Sequence, residues 1–113
     1  MPPQFQPLSP DVLAKRYGAF FIRRTHPLDV ESVPTPLRPI VAYAEIWGVS
    51  DDYDRERMAD GAPDIAKADL IALIDRYNSD LDEWLAGPES YSETPSREYL
   101  AFSNMRMAHD HLI

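Results

Sequence analysis

The chain contains no cysteine. That absence removes disulfides, thiolate metal ligands and a cysteine nucleophile together. Glycine is scarce, with 4 in 113 residues. They stand at positions 18, 48, 61 and 87, a spacing from which neither a G-x-G-x-x-G nor a G-x-x-x-x-G-K phosphate loop can be built. No apolar run approaches the ~18 residues needed to cross a bilayer. The opening Met-Pro-Pro-Gln-Phe-Gln has neither the basic start nor the apolar stretch of a leader peptide, so the expected location is cytoplasmic. What is present is enough for a folded core: 44% apolar residues, with 2 tryptophans, 6 tyrosines and 4 phenylalanines. A chain of this length buries roughly two-thirds of the surface that it exposes when unfolded.

Charge is distributed unevenly. The net charge is −8. Residues 51–93 carry thirteen acids against four bases, net −9, whereas residues 1–50 are net +1 and residues 94–113 are neutral. Such a stretch repels phosphate backbones and anionic bilayers and attracts cations and basic proteins. The expectation is therefore a basic protein partner, with no nucleic acid and no membrane. One opposing group, Lys15, Arg16, Arg23 and Arg24, is read as packing beside the acidic stretch.

The pattern along the chain predicts a mainly α fold, a compact single-domain bundle of four or five helices with a proline-rich loop near residues 25–39. Residues 1–8, with three prolines, read as an extended arm, and residues 9–113 as one helical domain. Ser9-Pro10-Asp11 is a helix start: a capping oxygen, a proline at the first helical position and an acid at the positive end of the dipole. Val12, Leu13, Arg16, Tyr17 and Phe20 follow at helical spacing. Phe20-Phe21-Ile22 fits a short strand equally well. A second helix is predicted from about Pro36–Pro39 to Trp47 on the stripe Leu37, Ile40, Val41, Ala44 and Trp47, with a strand over Ile40–Trp47 as the alternative. Ser50 resembles a cap for a short helix that Gly61 and Pro63 close. From Asp64 to Ala86, Leu70, Leu73, Ile74, Tyr77, Leu81, Trp84 and Leu85 form a sustained helical stripe, stopped by Gly87-Pro88. After a polar turn, Thr94-Pro95 opens a last helix with Tyr99, Phe102, Met105, His109 and Leu112 on one side.

Chemical motifs are few. His109 and His111, two positions apart, point about 200° from each other on a helix and cannot share a metal there. His26 precedes a proline in the loop. Asp52, Asp54 and Glu56 match positions 1, 3 and 5 of a calcium loop, but Arg57 replaces the glycine at position 6 and Pro63 the glutamate at position 12. No metal site and no cofactor are expected. Only Glu45 and Glu98 place a carboxylate within an apolar context, as a catalytic acid requires, and no serine has an evident neighbouring base.

Three functional readings remain, and the first is favoured. It is a small acidic interaction module, of inhibitor, antitoxin or immunity type, that binds a basic protein through Asp75, Asp80, Asp82 and Glu83 on one helix face and through the loop tyrosines Tyr53 and Tyr91. The second is a structural or assembly subunit whose proline-rich arm and Tyr99–Leu112 stripe are covered by neighbours or by copies of itself. The third is a small carboxylate-dependent hydrolase using Glu45, Glu98 or the terminal histidines. The balance favours a protein that is not an enzyme.

Overall fold

The computed structural model describes residues 9–17, 27–48 and 60–112. Among these residues the protein is helical, with no strand. Four α-helices carry it: α1 (Pro10–Tyr17), α2 (Val41–Trp47), α3 (Asp64–Leu85) and α4 (Arg97–Leu112). Short 3-10 turns at Val30–Ser32, Thr35–Ile40 and Pro88–Tyr91 connect them. The radius of gyration is 13.3 Å, which a folded domain of this length should have.

Local chemistry sets the element ends. At α1, the Ser9 hydroxyl accepts from the Val12 amide at 3.3 Å and the Ser9 carbonyl from the Leu13 amide at 2.9 Å, the cap that the sequence indicates. Leu13 is buried, whereas Val12 and Arg16 face outward, so the α1 stripe is narrower than its spacing suggests. Residues 20–22, which fit helix and strand equally, lie outside the described residues, as do residues 1–8 and residues 49–59, which hold Ser50 and most of the short helix expected after it.

The second helix begins later than its apolar stripe. Thr35–Ile40 forms a 3-10 turn and α-helix begins only at Val41. Pro36 and Pro39 lack amide hydrogens, and each restricts the residue before it, so regular α bonding starts once Pro39 is passed. The stripe itself holds: Leu37, Ile40, Val41, Ala44 and Trp47 are all buried. The strand alternative for Ile40–Trp47 is replaced by helix.

Helix α3 runs over the predicted span, with Ala86 as its C-terminal cap. Leu70, Leu73, Ile74 and Leu81 are buried, and Tyr77, Trp84 and Leu85 half-buried. Helix α4 starts at Arg97 rather than at Thr94-Pro95, because the Ser96 hydroxyl caps it, accepting from the Tyr99 amide at 3.1 Å. This helix packs against both α2 and α3, and α1 lies against α2. At the α3–α4 contact, Trp84 meets Tyr99 and Phe102 edge-on, with ring centroids 5.7 and 5.2 Å apart. The Tyr99 hydroxyl donates to the Leu85 carbonyl at 2.7 Å. That bond satisfies one of the carbonyls that the end of α3 leaves unpaired.

Helices α2 and α4 approach each other closely at Gly48. A Cβ there would lie 1.7 Å from the Ala101 carbonyl oxygen. The Asn104 amide donates to the Gly48 carbonyl at 3.1 Å, so one small residue permits the approach and a side chain ties it.

Candidate functional site

Helix α3 carries all four acids proposed for partner contact. At about 100° per residue, Asp75, Asp82 and Glu83 fall within an arc of about 100° that faces away from the Leu70–Leu81 stripe. All three are exposed. Asp80 lies about 140° round from Asp75, at the margin of that face, and is half-buried. Arg76, also exposed, puts one positive charge on the same side.

These acids divide by their partners. Asp82 pairs with Arg106 of α4, and Asp69 pairs with Arg16 of α1 at 3.6 Å. Asp60, near the start of α3, meets the His111 imidazole at 2.8 Å. The Glu89 carboxylate accepts from the Ser96 amide at 2.8 Å. Asp75, Asp80 and Glu83 make no ion pair among the described residues. The anionic face is thus a cluster on the last three turns of α3, smaller than the charge count of residues 51–93 suggests. Of the early basic group, Arg16 lies beside Asp69, Lys15 is exposed with no ion pair among the described residues, and Arg23 and Arg24 fall outside them.

Of the two tyrosines, Tyr53 lies outside the described residues. Tyr91 ends the 3-10 turn after α3 and is 86% exposed. Hydrogen bonds wire the turn: the Ser90 hydroxyl donates to the Gly87 carbonyl at 2.6 Å, the Ser92 amide donates to the Glu89 carbonyl at 3.1 Å, and the Ser92 hydroxyl accepts from the Thr94 amide at 3.1 Å. Tyr91 is therefore held out from a braced turn.

The remaining candidates have structural partners. Glu45 accepts from the Leu28 amide at 2.8 Å and Glu98 from the Asp29 amide at 3.0 Å. Each carboxylate that interrupts an apolar context therefore satisfies a backbone donor of the proline-rich segment, and Arg97 adds a bond to the Pro27 carbonyl at 3.0 Å. His109 is buried in α4, its Nδ1 3.3 Å from Asp110. Its Nε2 finds no hydrogen-bond partner among the described residues. No group of three or more His, Asp or Glu side chains positioned to hold a metal occurs among the described residues. No helix there is long and apolar enough to cross a membrane.

Sequence reasoning missed two features. The capture of the Leu28 and Asp29 amides joins positions 17 and 69 residues apart, which no local pattern encodes. The Asp82–Arg106 pair removes one predicted contact residue from the free set. The available signal is Arg106 itself, a base set between Met105 and Met107 in the last helix.

No family model, no curated protein and no solved structure matches this chain.

Proposed function

We propose that this chain is a small acidic interaction module that binds a basic protein, in the manner of an inhibitor, antitoxin or immunity protein. The observation that supports this most directly is the set Asp75, Asp80 and Glu83: three carboxylates on the C-terminal half of one rigid helix, without ion-pair partners among the described residues. Carboxylates that the fold leaves uncompensated attract a cationic surface, speed encounter and fix orientation. Tyr91, on the braced turn that follows the same helix, supplies an aromatic anchor of the type that dominates interface energetics.

The other two readings lose particular support. The Tyr99–Leu112 stripe, offered as an assembly surface, lies largely within the protein's own core, where Tyr99, Phe102, Met105 and His109 are buried. Glu45 and Glu98, offered as catalytic acids, are hydrogen-bonded to backbone amides.

The test compares the wild-type protein with the variant Asp75→Lys/Asp80→Lys/Glu83→Lys as bait in cells of the source organism, followed by titration of the captured protein at low and high salt. The expected result is a basic partner whose affinity falls by roughly tenfold or more in the variant and declines with ionic strength. A partner held equally by both proteins, with no salt dependence, would refute the proposal.

A further inference from the structure

We propose that Glu45 and Glu98 act as one latch on residues 27–40, and that this proline-rich strap opens and closes on the helices as a unit. The strap is wired mainly to itself. The Ser32, Val33 and Leu37 amides donate to the Asp29, Val30 and Pro34 carbonyls. The Asp29 carboxylate accepts from the Glu31 amide at 3.1 Å and from the Ser32 hydroxyl at 2.9 Å. Arg38 folds back onto the Val33 carbonyl at 2.9 Å and the Glu31 carbonyl at 3.4 Å. Pro34, Pro36 and Pro39 have no amide hydrogen to donate.

Attachment to the helices is different in kind. At its far end the strap runs directly into α2 at Val41. Along its length Leu28, Val33, Leu37 and Ile40 sit in the core. Its polar ties to α2 and α4 concentrate at the near end, on three groups in a row: the Pro27 carbonyl, the Leu28 amide and the Asp29 amide. Glu98, which is 8% exposed, and the half-buried Glu45 come from different helices but grip consecutive amides. The Pro27 carbonyl and the Leu28 amide belong to one planar peptide and the Asp29 amide to the next, with only the Leu28 backbone torsions between them. Freeing one plane lets those torsions turn and loosens the bond held by the other. A segment that is internally bonded, continuous with a helix at one end and pinned at the other has the make-up of a local opening unit. Its opening would bare Leu28, Val33, Leu37 and Ile40, which the closed form hides.

Hydrogen exchange of the full chain, read at individual amides, tests this proposal. In the wild type, Leu28 and Asp29 should exchange slowly but measurably faster than Leu73 and Ile74 at the centre of α3. Either Glu45→Ala or Glu98→Ala should accelerate both strap amides together, by roughly 10- to 100-fold, with the double variant adding little. Glu98→Gln keeps an oxygen acceptor and should retain most of the protection. The proposal is overturned if each alanine variant frees only its own amide. It is equally overturned if the wild-type strap amides exchange no faster than those of α3, which would show that the strap opens only with global unfolding. The wild-type measurement decides the matter even if an alanine variant fails to fold.

Discussion

Replacing Gly48 by alanine should destabilise the protein, for a reason that the backbone geometry isolates. Gly48 has φ −99° and ψ −20°, angles open to any residue. At an uncrowded position with such angles the change from glycine would stabilise by about 0.4–1 kcal/mol, through the unfolded chain. Here the new Cβ would meet the Ala101 carbonyl oxygen at 1.7 Å, the Ala101 carbonyl carbon at 2.5 Å and the Ala44 carbonyl oxygen at 2.8 Å. All three are backbone atoms, so no rotamer change relieves the clash. To restore even a 3.0 Å contact, α2 and α4 must separate by more than about 1 Å, which disturbs interior packing and costs about 1–3 kcal/mol or more. The Asn104–Gly48 hydrogen bond would be strained by the same movement. Each kcal/mol lowers the melting temperature of a domain this size by roughly 4–8 °C. Urea unfolding followed by tryptophan fluorescence gives the free energy, and calorimetry the Tm. Adding Ala101→Gly should not rescue the variant, since the obstruction is main-chain. A Gly48→Ala protein as stable as the wild type, or more so, would refute the close α2–α4 approach.

Two further outcomes follow from α4. Tyr99→Phe removes the bond to the Leu85 carbonyl while keeping the ring against Trp84, so it should cost about 1 kcal/mol in denaturant unfolding. A loss of several kcal/mol would mean that the hydroxyl holds more than the end of α3. His109→Leu replaces a buried imidazole whose Nε2 lacks a partner with an apolar side chain of similar size. It should leave stability unchanged or raise it, whereas Met105→Ala at the neighbouring core position should cost about 2–5 kcal/mol. If His109→Leu destabilised as strongly as Met105→Ala, the imidazole would have a role in the core beyond filling space.

The parts of this fold legible in the sequence are those that local pattern controls. Helix α3 is the clearest, because its stripe runs unbroken from Leu70 to Leu85 between two prolines. The Ser9 cap and the Gly87-Pro88 stop were equally readable. The starts of α2 and α4 were misplaced by local competition: a proline inside an apolar stripe delays the one, and a second capping hydroxyl, Ser96, displaces the other. On α3, helical spacing puts Asp75, Asp82 and Glu83 on one face and Asp80 at its margin, but the division of these acids into free and paired is not readable from the sequence. Asp82 is neutralised from a helix 24 residues away, and Asp80 is turned toward the flank by an angle that a list of charges does not contain. Glu45 and Glu98 stand out in the sequence for their apolar neighbours, a context that suggests a catalytic acid rather than an amide acceptor. Their use became visible only when the fold brought two backbone amides to them.

The strap has a consequence for the order in which the chain can mature. Its bonds to Arg97 and Glu98 span 70 and 69 residues. Loop closure over that distance must precede any reward from the contacts. On a ribosome, therefore, the segment around Leu28 has only the Glu45 tie from α2 to hold it until α4 emerges and adds those of Arg97 and Glu98. The face of α2 that packs on α4 stays uncovered for that interval, so the period before α4 arrives leaves the nascent chain open to chaperones, proteases and unwanted association.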